Sequence, residues 1–370
     1  MVEQSTQPKI FNFSAGPCIL PQEVLKQSQE ELLSWHGVGV SVMEMSHRSK
    51  EFISIAEQAE KDFREFLHVP NNYQVFFFQG GATMQFSAIP FNLLKDKTKA
   101  NYITTGAWSE QAIKEAKKLC TPVEAWPESG SKFTTVPDPS TWHIDQESAY
   151  FHYCDNETIH GVEFNDFPFD KVQGLTLVSD MSSNIGTRPI DWEKYGVVYA
   201  GAQKNLGPSG VCVVVVRDDL IGHQRADTPI LFDWKIFKDA PTKFFNTPSC
   251  WPIYVMGLNL AHMNAKGLEY YTELANKRSS MLYDYIDNSE GYYTNPVEVK
   301  YRSRTNIPFR VKKDDKLETK FLAEAQKEGL IELKGHRSVG GCRASCYSAM
   351  PLEGVEALIA FMKKFKEQNP

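Results

Sequence analysis

Short apolar runs, each closed by a turn and followed by residues at helical spacing, recur through the first two-thirds of the chain. YQVFFF (73–78) precedes QGGAT and then MQFSAIPFNLL. ANYITT (100–105) precedes GAWS and the amphipathic SEQAIKEAKKL, for which Ser109 is the expected N-cap. VEAW, AYFHYC (149–154), LTLVSD (175–180), VVYA (197–200) and VCVVVV (211–216) continue the series. Strands apolar on both faces, alternating with helices, predict a mostly parallel sheet covered on both sides.

Beyond about residue 250 the texture changes. One long helix is expected over roughly 253–287, then NIPFRV, a helix at 316–328, LIELKG, GCRASCY and a final helix at 352–367. This mixture predicts a smaller α+β lobe, with the long helix joining it to the first. Composition fits a globular chain, with 42% hydrophobic and 23% charged residues among 370. A net charge of -6 argues against a broad nucleic-acid surface. No apolar run reaches the roughly 18 residues of a membrane span. The opening MVEQSTQPKIFNFSAGP carries no apolar core of a secretory signal, so a cytoplasmic location is expected. The seven cysteines are scattered, and no Cys/His set of metal-ligand spacing forms around Cys342 and Cys346. Reduced thiols and no metal site are therefore expected.

The candidate chemistry lies in AGAQKNLGPSG (200–210), where Lys204 is the one charge between two apolar runs. A loop lysine is ordinarily a solvated one. Here Gly201, Gly207 and Gly210 allow close approach of the backbone, and Pro208 stiffens the turn. Burial would lower the pKa of the amine and leave it able to form a Schiff base with a carbonyl. Asp180 closes LTLVSD, at the carboxyl end of a strand where an open sheet places its ligand crevice. A Schiff-base lysine with an acidic partner is what pyridoxal phosphate requires, the carboxylate keeping the pyridine nitrogen protonated. QGGAT, between strand and helix, offers backbone N–H groups to a phosphate, and Thr83 adds a hydroxyl. Trp108 in TGAWS could stack on a planar ring, or simply pack in the core.

Taken together, NFSAGPCILP, MEMSHRSKEF, QGGATMQF, TGAWS, NETIHGVEF, DMSSN, AGAQKNLGPSG, FNTPS and GHRSVGGCRAS occur in an order that resembles the phosphoserine aminotransferase family. These are class V pyridoxal-phosphate aminotransferases of fold type I. The resemblance implies an aspartate-aminotransferase-like α/β fold. Its large domain, 18–258, would hold a mostly parallel seven-stranded sheet between helices, and 1–17 with 259–370 would form the smaller α+β domain.

The resemblance also implies residue roles. Lys204 would hold pyridoxal 5'-phosphate as a Schiff base and shuttle the proton, with Asp180 on the pyridinium nitrogen and Trp108 on the ring face. Thr158 would bind the phenolic oxygen. Ala82, Thr83 and Gln203 would bind the phosphate, with Asn246 and Thr247 reaching it from the other subunit of a homodimer. Thr83 stands where many relatives have Gly and some Arg, which leaves more of the phosphate to backbone N–H groups. Arg343 would take the substrate α-carboxylate. His336 and Arg337, with His47 and Arg48 from the partner chain, would take the phosphate or the glutamate side chain, and Ser14 would add a contact. The implied reaction is reversible ping-pong transfer of an amino group between L-glutamate and 3-phosphohydroxypyruvate. It gives O-phospho-L-serine and 2-oxoglutarate in serine biosynthesis. Two other readings stand beside it. One is another fold type I enzyme, such as an alanine–glyoxylate or serine–pyruvate aminotransferase or a cysteine desulfurase. The other is a non-catalytic protein that kept the fold.

Overall fold

The computed structural model describes residues 9–127 and 133–370. Seven apolar runs form one sheet: β1 (Tyr73–Gln79), β2 (Lys99–Tyr102), β3 (Thr121–Glu124), β4 (Tyr150–Cys154), β5 (Thr176–Asp180), β6 (Val197–Gly201) and β7 (Val211–Arg217). Their spatial order is β1-β7-β6-β5-β4-β2-β3. Neighbours from β6 to β3 pair in parallel, whereas β7 pairs antiparallel with both β6 and β1. The sheet is thus mostly parallel, as the two-sided burial of its strands requires. The carboxyl ends of β1, β2, β4, β5 and β6 share one edge, and the turns leaving that edge carry QGGAT, TGAWS, NETIHG, DMSSN and the Lys204 turn.

Apolar cores cover both faces. One holds Val75, Phe77, Phe151, Val198, Val213 and Val215 against α1 (Lys50–Leu67) and α4 (Cys250–Asn264). The other holds Phe76, Phe78, Tyr102, Tyr150, Tyr199 and Val214 beneath α2 (Gln85–Leu93) and α3 (Ala107–Ala116). A separate third core gathers Ile307, Phe309, Phe321, Leu358 and Phe365 from the C-terminal part, and takes in Phe11 and Phe13. There β8 (Tyr293–Thr294), β9 (Asn306–Val311) and β10 (Cys342–Ser345) form an antiparallel sheet. Phe11–Asn12 pairs in parallel with Leu330–Ile331, the short remnant of the strand expected at LIELKG.

Two local expectations are corrected. The single helix over 253–287 is two, α4 and α5 (Leu268–Asp287). Gly267 separates them at φ +82, a backbone geometry that other residues rarely adopt. The helix at TGAWS begins at Ala107, so Ser109 lies inside its first turn and caps it from there. Its hydroxyl accepts hydrogen bonds from the Thr105 and Gly106 N–H groups at 3.0 and 3.2 Å.

Arg278 on α5 ties the lobes together. Its side chain is fully buried, and Nη1 donates to the Tyr347 carbonyl at 2.7 Å and to the carbonyls of Ser348 and Met350. Ser348 in turn holds Asn205, next to Lys204, through N–H···Oδ1 at 2.9 Å and Oγ–H···O at 2.8 Å. Arg278→Met keeps the bulk but removes those three charge-assisted bonds, leaving the Tyr347 carbonyl with the Met350 N–H alone. We expect a loss of about 3 kcal/mol, read as a lower midpoint in thermal unfolding; an unchanged midpoint would count against the tie.

Candidate active site

Because β6 and β7 run antiparallel, the chain must reverse between Gly201 and Val211, and Lys204 sits in that reversal. The turn is closed by Gly207 N–H donating to Ala202 O at 2.8 Å. Other parts of the chain hold it from outside. Cys18 N–H donates to Gln203 O at 3.1 Å and the Cys18 thiol to Lys204 O at 2.6 Å. Asn259 Nδ2 donates to Leu206 O at 2.8 Å. Gly16 packs so closely that a Cβ there would stand 3.2 Å from Lys204 Cγ.

The clamped turn buries the lysine, which is 7% exposed. Its Nζ donates to Thr158 Oγ1 at 2.7 Å and lies 5.6 Å from the centre of the Trp108 ring. Burial pulls the amine pKa below its ordinary value, opposed by the Asp180 and Glu157 carboxylates. Asp180 is also buried, and burial raises its pKa, while Ser182 and the Lys204 ammonium hold it down. Ser182 donates to Asp180 Oδ1 from N at 2.9 Å and from Oγ at 2.6 Å.

Trp108 owes its place to a buried acid. Glu157 accepts from Trp108 N at 3.0 Å, Ser109 N at 2.9 Å and Ser109 Oγ at 2.5 Å. It thereby caps α3 from another strand and meets the positive end of the helix. Only glycine fits at Gly106, since a Cβ would lie 2.3 Å from Glu157 Cδ. Trp108 Nε1 is buried with no hydrogen-bond partner among the described residues.

These groups line a cavity of about 310 Å³. Gly81, Ala82, Thr83 and Gln203 also line it, as do Trp108, Thr158, Asp180, Lys204, His336 and Arg343. Ala82 opens the helical turn that leads into α2, so its end of the cavity meets a helix start. Arg343 arrives on β10 and its Nη1 donates to Thr158 O at 3.4 Å, while its buried Nε has no partner among the described residues. His336 is exposed, its Nδ1 2.7 Å from Ser338 Oγ.

Six of the anticipated residues lie elsewhere. Ser14, His47, Arg48, Asn246, Thr247 and Arg337 do not line this cavity. Arg48 and Arg337 are exposed, and His47 is buried with Nε2 unpartnered among the described residues. Asn246 lines a separate small cleft with Phe78, Gln79 and Met84, and Thr247 O accepts from Gln79 Nε2 in the QGGAT turn. Sequence reasoning missed Glu157, Ser182, Cys18 and Asn156, which lines the cavity and donates from Nδ2 to Ser183 Oγ at 2.8 Å and Asn306 Oδ1 at 2.9 Å. NETIHG and DMSSN contain three of these, but which partner each holds depends on contacts across the sheet.

Residues 10–358 match the model of the aminotransferase class-V family. The chain belongs to that family. It is 49% identical to phosphoserine aminotransferase from Laribacter hongkongensis, over 97% of this chain and 99% of the relative. It is 48% identical to phosphoserine aminotransferase 2, chloroplastic, from Arabidopsis thaliana, over 98% and 86% of the two chains. The structure of phosphoserine aminotransferase from Bacillus circulans subsp. alkalophilus superimposes with a TM-score of 0.93 at 41% identity, over 98% of this chain and 99% of that one. An alanine–glyoxylate aminotransferase from Nostoc sp. superimposes at 0.77 with 15% identity, a likeness of fold alone.

The buried amine of Lys204 gives a stability signature. With the folded pKa below 10.5, the unfolded chain binds the extra proton, so stability rises with pH between the lowered value and 10.5. Without cofactor, Lys204→Met is therefore expected to unfold at a higher temperature than the parent at neutral pH. The gain should shrink as pH climbs through that interval. A variant less stable at neutral pH would contradict the burial argument.

Proposed function

We propose that this chain is a pyridoxal-phosphate-dependent phosphoserine aminotransferase, exchanging an amino group between L-glutamate and 3-phosphohydroxypyruvate by a ping-pong reaction. The observation that carries this is one cavity holding a buried lysine amine, a buried carboxylate and an indole. The residues fit the cofactor: a helix start at Ala82 and Thr83 suits its phosphate, Asp180 its ring nitrogen, Trp108 its ring face and Thr158 its phenolic oxygen. Bound there, pyridoxal phosphate supplies an aldehyde for amines and a cationic ring that accepts the electron pair of the substrate Cα–H bond.

The protein's part is to orient groups and move one proton. Lys204 Nζ, whose pKa burial lowers, takes the proton from substrate Cα, holds it and returns it on the same side. Thr158 Oγ1, 2.7 Å away, holds the amine in place. Two Ser182 donors favour the anionic form of Asp180 against the burial that raises its pKa, and a cationic ring nitrogen would favour that form further. Arg343 meets the substrate α-carboxylate in the bidentate manner of a guanidinium.

The cavity offers one guanidinium, yet both substrates carry more than one negative charge. His336, at the opening, and Arg337 beside it receive the second anionic group, joined by His47 and Arg48 of the partner subunit. Asn246 and Thr247 reach the neighbouring site in the same way, so the reading includes a homodimer with shared sites. It also includes a cytosolic setting, consistent with seven free thiols. The large unit surrounds the seven-stranded sheet and the small unit contains the third core. A boundary at 258/259 falls within α4, and α5 spans the two, with Leu268 and Tyr271 in the first core and Leu282 and Ile286 in the third.

Purified protein is expected to be yellow, to lose its colour with borohydride and then to carry the reduced cofactor on the peptide containing Lys204, read by mass spectrometry. Colourless protein that takes up no cofactor would end the reading. Arg337→Ala should raise KM for 3-phosphohydroxypyruvate about ten-fold and leave KM for hydroxypyruvate nearly unchanged. Equal losses on both would remove Arg337 from phosphate recognition.

A further inference from the structure

A row of polar side chains beside Asp180 has no part in the chemistry above. Register pairs across the central strands are Tyr102 with His152, His152 with Val178, and Asp180 with Tyr199. Side chains at matched or every second position of such strands share one face. Tyr102, His152, Asp180 and Tyr199 therefore stand together on one side of the sheet, with Val178 between His152 and the β6 strand. His152 Nε2 and the Tyr199 hydroxyl meet across β5 at 2.8 Å. Asp180 and Tyr199 are register partners on β5 and β6, so their side chains stand side by side on that face. The Tyr102 ring lies over His152 with centroids 5.0 Å apart and planes 31° apart. His152, Tyr199 and Asp180 are 2%, 0% and 5% exposed.

Counting protons sets the direction of this chain. An ionised carboxylate only accepts, and a tyrosine hydroxyl has one proton to give. If Tyr199 gives that proton to its register partner Asp180, its oxygen is left to receive one from His152 Nε2, 2.8 Å away. A neutral imidazole then keeps its lone pair on Nδ1, and Nδ1 has no partner among the described residues. The opposite tautomer would bury an N–H with no acceptor and turn the Tyr199 proton away from the carboxylate. The ring is neutral at ordinary pH, since burial pushes its pKa down to about 3. The other titratable groups around Tyr199 are Tyr102, Cys154 and Cys212, and burial raises the pKa of each, so none offers a competing anion.

We propose that His152 and Tyr199 are positioning residues for Asp180: a single Nε2–H tautomer of His152 donates to Tyr199, whose hydroxyl donates to the carboxylate and keeps it ionised and aimed. The inference rests on the reading of Asp180 as the partner of the cofactor nitrogen. It adds that the strength of that partner is set two strands away, by side chains that touch neither substrate nor cofactor. Ser182 and Tyr199 then hold Asp180 from different directions, which restricts rotation of the carboxylate as well as its charge.

Long-range proton–nitrogen spectra of full-length, histidine-labelled protein, with and without cofactor, read the tautomer directly, and His152→Phe identifies the signals. The expected result is a protonated Nε2 and a bare Nδ1, unchanged down to about pH 5. Tyr199→Phe should shift the Nε2 signal, loosen cofactor retention on dialysis and lower kcat about ten-fold with KM for glutamate little altered. His152→Phe keeps the ring shape and should produce a smaller loss of the same kind. A residue that only filled space would change stability without this split between kcat and KM. A protonated Nδ1, or a Tyr199→Phe enzyme with parental kcat and cofactor retention, would overturn the proposal. Should Tyr199→Phe fail to fold, the parental tautomer still decides. Parental protein that binds no cofactor would instead defeat the functional reading, while the spectra without cofactor continue to test the hydrogen-bond chain.

Discussion

A lysine amine kept out of water beside a carboxylate is the constraint on which this molecule is built. Neither group tolerates burial alone, because removing a charge from water costs more than ordinary packing returns. Here each moderates the other: burial lowers the pKa of the amine and raises that of the carboxylate, and the attraction between them, with the Ser182 donors, opposes both movements. A nine-residue reversal could not keep Lys204 dry unaided. It is held by Cys18 and Gly16 from the N-terminal segment, by Asn259 from α4 and by Ser348 from the loop that Arg278 secures. The lobes are therefore joined where the chemistry requires rigidity.

The same junction contains a second buried charge cluster. Asp155 and Glu163 lie beyond β4; Arg188 pairs with both and Arg304 with Glu163. Arg304, just before β9, donates from Nη2 to Glu163 Oε1 at 2.6 Å and from its backbone N–H to Oε2 at 2.7 Å. Burial would raise the Glu163 pKa, but the two guanidiniums outweigh it and the net movement is downward. Ion pairs at such a depth set the relative placement of packed parts more than they add stability. Here they register β9 and β10 against the sheet, and β10 carries Arg343 into the cavity.

The substrate side is built differently from the cofactor side. The proposed cofactor side is lined by turns from one sheet edge of this chain, with Asn246 and Thr247 proposed to reach it from the neighbouring subunit. Among the described residues one guanidinium, that of Arg343, lines the cavity, and Arg48 and Arg337, proposed for the second anionic group, are exposed outside it. In the proposed dimer this division has a physical use. Exposed arginines keep their hydration until a partner and an anion arrive together, whereas the amine must be dry before any substrate enters.

Much of this was legible in the chain itself. Runs such as VCVVVV and LTLVSD announce strands buried on both faces, and Lys204 and Asp180 stand out because a charge at the end of such a run needs a reason. The nine motifs pointed to the family, its cofactor and its fold. Other features were silent for physical reasons. A strand buried on both faces has the same pattern in either direction, so the antiparallel course of β7 left no trace. Gly267 in a helical stretch reads as a tolerated defect until its φ of +82 ends the helix. Ser109 resembles a cap at the wrong position, since its partner Glu157 lies 48 residues away. Tyr199 and His152 look like core residues of apolar strands, because a hydrogen bond across two strands depends on register, and register is settled only when the sheet assembles.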